Sequence, residues 1–492
     1  MLRFASRFLV MFSCACASLL AQTSPPPARV LTPGQTAAID NYVTAEMKRQ
    51  RIPGLAVGIY DRGRILLAQG YGLANVELSV PVKPETIFQS GSTGKQYVSA
   101  AIMMLVEEGK LSLDDSITKY FPDAPDTWKP IRIKNLLSHT SGLAEYESGE
   151  RTGPKGPFYL RLDFTEDELV TKIEALPIEF LVGEKWNYRN TNYVLLGVII
   201  HKITGMFYGD FLQDRIFKPL GMNSTRLISD ADIIPNRSSG YEIVRNELKN
   251  QSWVSPTFNS TADGALYFNV LDIAKWDGAL YGTRLLTQSS LDRIWTVYPL
   301  NDGKPNPSNY GFGWEINKIK GHKVIQHGGA WQGFTCDISR YTDDNLTVVI
   351  LTNLGSANSR PGQIGRVVAG LLIPDLMPAK LVAIEDKQPE LLASLKTLLG
   401  QLATGQDVKS QMTPELAARI TPESSKTIQS RLAAVLPPDS AVLVSRDELP
   451  DGRLRSQYRF SKKGESLLIA YGLDKDGKIS LLGFFPDREY EF

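Results

Sequence analysis

Residues 88–108 read FQSGSTGKQYVSAAIMMLVEE, a short polar turn followed by a long apolar run. Apolar side chains recur at helical spacing through residues 98–106, which predicts a buried helix over residues 92–108. On a helix, residues three apart share a face, so the Lys95 ammonium can reach the Ser92 hydroxyl. A serine becomes a good nucleophile only when a neighbouring group takes its proton, and helix N-terminal amides favour developing negative charge. The stretch therefore predicts a core helix whose first turn carries a candidate nucleophile.

Two other interpretations of this segment have to be weighed. Alone, the Ser-x-x-Lys spacing also fits a capping serine beside a surface lysine. The pair Gly94-Lys95 also occurs in phosphate-binding loops, but such a loop needs a glycine where Gln89 stands and a Ser or Thr where Gln96 stands. The phosphate-loop interpretation is rejected, and the catalytic one depends on what other segments supply.

A second segment with catalytic side chains is Tyr188-Arg189-Asn190. A phenol beside a lysine ammonium can lose its proton and then accept the serine proton, and a carboxamide can position both groups. Alone, the same residues also fit a packed aromatic ring and a helix cap.

The third segment, His327-Gly328-Gly329-Ala330, follows a run that predicts a strand over residues 323–327. Two glycines let a substrate approach the strand closely, and strand amides can donate to an oxyanion. Alone, the segment is a common turn.

Together, in this order and with these flanks, the three segments resemble the serine β-lactamase, penicillin-binding protein and family VIII esterase superfamily. The resemblance is closest to the class C β-lactamase branch and covers about residues 32–373. It includes further stretches at 136–143, 219–222 and 310–314. It implies an α/β (α+β) β-lactamase/transpeptidase-like fold, with an antiparallel sheet flanked by helices and a helical subdomain.

Carried over position by position, the resemblance implies that Ser92 is acylated and that Lys95 activates it. It implies that Tyr188 is a general base that later serves as acid, and that Asn190 positions the reacting groups. The backbone amides of Ser92 and Ala330 are the implied oxyanion hole. The resemblance implies no metal and no organic cofactor.

The strand segment departs from the family pattern. His327 stands where most lactamases and transpeptidases have a lysine, and Gly328 where they have Thr or Ser. We place His327, Gly328 and Gly329 in the substrate-binding and positioning group. Because the fixed cation and the hydroxyl donor are missing, substrates with a carboxylate should lose ground to neutral esters and amides.

The composition excludes several other classes of protein. The chain has 492 residues, 42% of them hydrophobic and 22% charged, which is typical of a folded globular protein. Lys and Arg number 54 against 53 Asp and Glu, so no overall charge favours nucleic acid. Four His and three Cys are too few and too scattered for a metal-cluster protein.

The N-terminus predicts export. Arg3 and Arg7 precede an apolar run at residues 8–20 that ends in small residues, the layout of a signal peptide over residues 1–21. The run is short for a membrane span. Cys14 raises lipoprotein attachment as an alternative, but the three residues before it form a poor lipobox. We expect a periplasmic or secreted protein.

Composition changes again at residues 374–390, where prolines interrupt a segment without clear periodicity. This boundary predicts four segments after the signal peptide: a linker (22–31), a β-lactamase-like serine hydrolase domain (32–375), a second linker (376–390) and a small α+β domain (391–492). In the last domain we predict two helices, the second over residues 414–436, followed by an antiparallel sheet.

Other candidate residues carry weaker signals. We interpret His139 as a structural histidine of the loop at 138–142 rather than a base. Trp186 and Trp331 flank two of the motifs. Each fits either a wall of the substrate pocket or a buried packing position.

The sequence predicts an exported serine hydrolase that acts through a Ser92 acyl-enzyme on ester or amide bonds. Short esters, D-amino-acid peptides and peptidoglycan stem peptides are the candidate substrates, with β-lactams as a further one. The alternative is a non-catalytic or slow penicillin-binding or cell-wall interaction protein. We expect no nucleic-acid partner and no stable membrane span.

Overall fold

The computed structural model describes residues 29–355, 358–449 and 454–487. The predicted signal peptide at 1–21 lies outside these residues. The chain divides into two compact units, the first ending at Leu376 and the second beginning at Met377.

The first unit is built on a seven-stranded antiparallel sheet with the order β3-β2-β1-β12-β11-β10-β9. A three-stranded sheet (β4-β8-β5) and a hairpin (β6-β7) complete its described strands. The strands of this unit are β1 Gly54–Asp61, β2 Arg64–Asn75, β3 Val80–Pro81, β4 Phe88–Gln89, β5 Arg226–Leu227, β6 Tyr241–Val244, β7 Glu247–Asn250, β8 Leu266–Phe268, β9 Glu315–Ile319, β10 His322–Trp331, β11 Phe334–Tyr341 and β12 Leu346–Thr352.

Helices cover both faces of the large sheet, which is why the central strands β1 and β12 are buried along almost their whole length. The described α-helices of this unit are α1 Pro33–Gln50, α2 Lys95–Glu107, α3 Ile133–Leu137, α4 Glu166–Glu174, α5 Asn190–Thr204, α6 Tyr208–Leu212, α7 Lys218–Leu220, α8 Val270–Ala279, α9 Gln288–Ile294 and α10 Pro361–Leu372. Helix α10 packs on β11 and β12, and α8 packs on β1 and β2.

The helix predicted over 92–108 is present, but it begins three residues later. Residues Gly91–Gly94 form a 3-10 turn, and α2 starts at Lys95. The turn begins at Gly91 with a φ of 47°, a left-handed conformation that favours glycine. Ser92 therefore lies on a tight turn immediately before the buried helix α2.

The second unit is a four-stranded antiparallel sheet with the order β13-β14-β15-β16, packed against helices. Its elements are α11 Pro389–Ala403, α12 Pro414–Ala417, α13 Pro422–Val435, β13 Ser440–Glu448, β14 Leu454–Lys462, β15 Glu465–Leu473 and β16 Ile479–Pro486. The single helix predicted over 414–436 is two helices, because Thr421 caps a new helix start by accepting from the Ser424 amide. The predicted fold class, a flanked antiparallel sheet followed by a small α+β unit, is confirmed.

Among the described residues, no single helix is long and apolar enough to cross a membrane. Residues Asn190–Thr204 and Tyr208–Leu220 pass that test only as a pair, with a bend of 76° between them.

We predict that a chain ending at Leu376 folds alone. The main apolar core of the first unit runs from Ala56 to Leu351, and the core of the second from Leu395 to Ile479, so each core is complete within its own unit. The truncated chain should unfold in one cooperative thermal transition, followed by circular dichroism. An insoluble fragment, or a melt without a cooperative transition, would show that the boundary is misplaced.

Candidate active site

Ser92 and Lys95 meet at the start of α2. The Lys95 Nζ lies 3.2 Å from the Ser92 Oγ. It also donates to the Asn190 Oδ1 at 2.8 Å and to the Asp263 carbonyl oxygen. The two predicted motifs at 92–95 and 188–190 therefore converge on one amine.

The Lys95 amine is buried, and burial lowers its pKa to about 8. The carboxylates of Asp263, Glu147 and Glu145 oppose this shift because they favour the charged form. At pH 7 about one tenth of such a lysine is neutral and able to accept a proton. Lys95 can therefore act as the base that takes the Ser92 proton.

Tyr188 lies beside the same pair, with the Lys95 Nζ 4.9 Å from its ring centroid. Its hydroxyl is buried and has no hydrogen-bond partner among the described residues. Burial raises the pKa of this phenol well above its usual value, and the nearby Ser92 hydroxyl only partly offsets the shift. The phenolate expected from the sequence is therefore disfavoured. The geometry suits a neutral phenol that can donate a proton.

His139 holds the Tyr188 segment in place. Its ring centroid lies 4.3 Å from that of Tyr188. Its Nδ1 accepts from the Arg189 backbone N–H at 3.3 Å and from the Asn192 amide at 3.0 Å. Burial lowers the pKa of His139 well below its usual value, so the ring is neutral and Nδ1 stays available as an acceptor. The structural role predicted for His139 thus extends to the segment at 188–192.

Asn190 joins Lys95 to an acidic cluster that sequence reasoning missed. The Asn190 Nδ2 donates to Glu147 at 2.6 Å, and its backbone N–H donates to Glu145 at 2.7 Å. Burial, and then Asp263 and Glu145, raise the pKa of Glu147 to about 8. No local pattern at Glu145-Tyr146-Glu147 separates this cluster from surface acids.

Both ring nitrogens of His327 contact other groups of the protein. It is buried, its Nδ1 lies 2.6 Å from the Gly328 carbonyl oxygen, and its Nε2 lies 2.9 Å from the Tyr310 hydroxyl. Burial lowers its pKa to about 4. A neutral ring then donates from Nδ1 and accepts at Nε2, so both nitrogens are engaged. In this arrangement His327 can position the end of β10, and the substrate-binding role of the segment at 327–329 stays a prediction.

The glycines after His327 bring β10 against the nucleophile turn. A Cβ at Gly329 would lie 2.1 Å from the Ser90 carbonyl oxygen, so only glycine allows this approach. A Cβ at Gly91 would lie 2.4 Å from the Ala330 amide nitrogen, which shows how close Ala330 is to the turn. At Gly328, by contrast, a Cβ would meet only the Cys336 carbonyl oxygen, at 3.7 Å. This position has room for a side chain.

These groups surround a small cavity of about 20 Å³. It is lined by residues from the turn, the acidic cluster and the end of β10: Gly91, Ser92, Glu147, Asn190, Phe258, Thr261, Asp263, Gly264, Ala265, Ala330 and Trp331. The predicted oxyanion pair, Ser92 and Ala330, therefore shares one cavity. Trp331 is a wall residue, whereas Trp186 packs near Tyr310, with ring centroids 6.0 Å apart.

The sequence of this chain matches a known protein family. The sequence model of the Beta-lactamase family matches residues 39–371. Penicillin-binding protein 4* from Bacillus subtilis (strain 168) is 30% identical over 311 residues, which are 60% of this chain and 66% of that protein. This chain thus spans just under two thirds of that relative's length.

Two other similar proteins have names that state a preference for the D configuration. The D-aminopeptidase from Gluconobacter oxydans (strain 621H) is 26% identical over 474 residues, covering 91% of this chain and 88% of that one. The solved structure of a D-stereospecific amidohydrolase from Streptomyces sp. has a TM-score of 0.58 and 27% identity, covering 69% of this chain and 98% of that one.

Proposed function

This chain is a serine hydrolase that belongs to the Beta-lactamase family, and from that premise we propose that Ser92 forms an acyl-enzyme with esters or amides. The observation that carries the proposal is the buried Lys95 amine, 3.2 Å from the Ser92 hydroxyl and with a lowered pKa. In the proposed cycle Lys95 takes the serine proton, and the Ser92 oxygen attacks the substrate carbonyl. Tyr188 then donates its proton to the leaving group and takes the proton held by Lys95, and water hydrolyses the acyl-enzyme and returns a proton to Ser92.

We propose further that the acyl part of the preferred substrate carries a free amino group, as in a D-aminoacyl amide or peptide. Glu147 lines the same cavity as Ser92, and burial raises its pKa to about 8, although the nearby Lys95 ammonium favours the carboxylate. A substrate amine placed there takes up the carboxyl proton and forms an ion pair. The similarity to a D-aminopeptidase and to a D-stereospecific amidohydrolase supports this substrate class.

The place of action is also a proposal. The positive start, apolar run and small residues at 1–21 favour export to the periplasm or beyond the cell. Peptidoglycan stem peptides, which contain D-amino acids, are then accessible substrates. The similarity to penicillin-binding protein 4* keeps a slow penicillin-binding role as the second candidate.

A substrate panel tests the amine proposal. We expect D-alanyl p-nitroanilide to be cleaved with a higher kcat/KM than its N-acetyl form and its L-enantiomer. Glu147→Gln should lower kcat/KM for the free amine by about 10-fold to 150-fold, because one charge-assisted bond is lost. The acetylated substrate should change little. Glu184→Gln, which removes an exposed carboxylate, is the matched control.

The outcomes separate the candidates. Equal losses on the free and the acetylated substrate would mean that Glu147 stabilises the site but does not bind the substrate amine. Rapid acylation by a fluorescent penicillin, without turnover of any ester or amide, would favour the penicillin-binding role instead.

The pH dependence of Ser92 reactivity distinguishes Lys95 from Tyr188 as the base. A fluorophosphonate should label Ser92 at a rate that rises with pH and levels off above about 8, because Lys95 must lose its proton first. A rate that keeps rising beyond pH 10 would assign the proton transfer to the phenol of Tyr188.

A further inference from the structure

A second cavity, of about 380 Å³, lies between α4, α5, α6 and residues 256–262. Its lining is mainly apolar and includes Phe164, Leu169, Val194, Val198, Phe207 and Ala262. Native cores contain few voids larger than a water molecule, whereas ligand pockets typically begin near about 300 Å³. The cavity is therefore large enough to hold a small molecule.

The polar groups at the edge of the cavity are already paired. Asp163 accepts from the backbone N–H and the hydroxyl of Thr257, at 3.1 and 3.0 Å. Glu166 pairs with His201 at 2.9 Å. The Tyr208 hydroxyl donates to the Thr261 carbonyl oxygen at 2.8 Å. A polar occupant would find few free partners, and apolar cavities of this kind bind hydrocarbons.

The charges at the rim of the cavity and the aromatic rings in its walls indicate which class of molecule it can bind. The rim is of mixed charge, because Asp163 and Glu166 lie near the Lys172 ammonium, which is 4.9 Å from the Phe164 ring centroid, so it selects neither an anion nor a cation. Three aromatic rings, those of Phe164, Phe207 and Tyr208, line the cavity and favour edge-to-face contact with another ring. Asp163 and Pro256 are exposed, so the cavity opens to solvent.

We propose that this cavity binds a neutral aromatic molecule of up to three rings at a site separate from Ser92. Thr261 lines both cavities, and the Asp263 carbonyl oxygen, two residues later, accepts from Lys95. The wall at 256–263 thus connects the aromatic site with the base of the catalytic site. Of the two cavities, only the catalytic one is lined by Ser92 and Asn190.

N-phenyl-1-naphthylamine, a neutral dye that fluoresces in apolar surroundings, tests the proposal on the full chain. We expect saturable binding of one dye per chain. Val198→Trp fills the cavity and should weaken binding by about tenfold or more. Val80→Trp, the same change at an exposed strand valine, should leave binding unchanged. Thermal unfolding shows whether each variant is folded, and Val194→Phe replaces Val198→Trp if that variant fails.

Three results would overturn the inference. Dye binding that is absent, or unchanged in a folded cavity-filling variant, would place the dye elsewhere or nowhere. Loss of dye binding after Ser92 is blocked with a phosphonate would show that the two cavities are one site. Binding that survives the blocked serine and is lost in Val198→Trp supports the separate aromatic site, and xenon bound there in a pressurised crystal would agree with it.

Discussion

Ser92→Ala should abolish turnover and covalent labelling, and Lys95→Met should lower kcat/KM by about a thousandfold or more. The methionine keeps most of the buried volume and removes the amine 3.2 Å from the Ser92 Oγ. No other described basic side chain donates to that oxygen, so no second base replaces it. Groups that act as a unit fail together, and the double variant should be no worse than Ser92→Ala. Intact-mass spectrometry with a phosphonate and steady-state kinetics measure both effects.

Two matched controls make the result specific. Ser99→Ala removes a buried hydroxyl from the same helix, one that bonds the Tyr193 hydroxyl at 3.0 Å. Lys83→Met removes an exposed lysine amine. Both should stay within about tenfold of the natural chain. An adduct on a different serine, such as Ser141, or a Lys95→Met variant with undiminished rate would refute the assignment of nucleophile and base.

The fold was largely predictable because its elements carry strong local signals. Helix α2 has apolar residues at helical spacing, and the strands near the end of the first unit are short apolar runs bounded by turn residues. The start of α2 was misplaced by three residues, since the 3-10 turn at Gly91–Gly94 depends on close contact with β10. That contact is between segments more than 200 residues apart, and no local pattern reports it.

The active site was predictable only where its chemistry is local. Ser92 and Lys95 are three residues apart, so helical spacing alone places them together. Glu147 and the Asp263 carbonyl oxygen reach the same amine from distant loops, and a carbonyl carries no side-chain signal at all. The hydrogen bond of His327 could not be predicted for a similar reason, because its partner Tyr310 lies 17 residues away along the chain.

Burial gives Lys95 and Tyr188 different roles in proton transfer. The same loss of water lowers the pKa of the amine to about 8 and raises that of the phenol well above its usual value. Near neutral pH the amine can accept the serine proton, and the phenol keeps its proton until the Lys95 ammonium can replace it. His139 and His327 are both neutral, because burial and the nearby Lys95 ammonium lower their pKa values. Neither ring therefore adds a second positive charge beside Lys95.

If Tyr188 is the proton donor, then Tyr188→Phe should lower kcat/KM according to the leaving group. An aniline must be protonated as it departs, whereas p-nitrophenolate is a stable anion and leaves unaided. We expect a loss of about 10²-fold to 10⁴-fold on a p-nitroanilide and less than about tenfold on the p-nitrophenyl ester of the same acid. The ring contact with His139 is kept in phenylalanine, so packing should change little.

Tyr193→Phe is the control, because it removes a second buried hydroxyl near Lys95, at a ring whose centroid is 5.5 Å from the amine. It should affect ester and anilide alike. Equal losses on both substrates in Tyr188→Phe would mean that the hydroxyl acts before the leaving group departs, in the activation of Ser92. The raised pKa of Tyr188 argues against that order, because the phenolate, the form that could accept the serine proton, is disfavoured by burial.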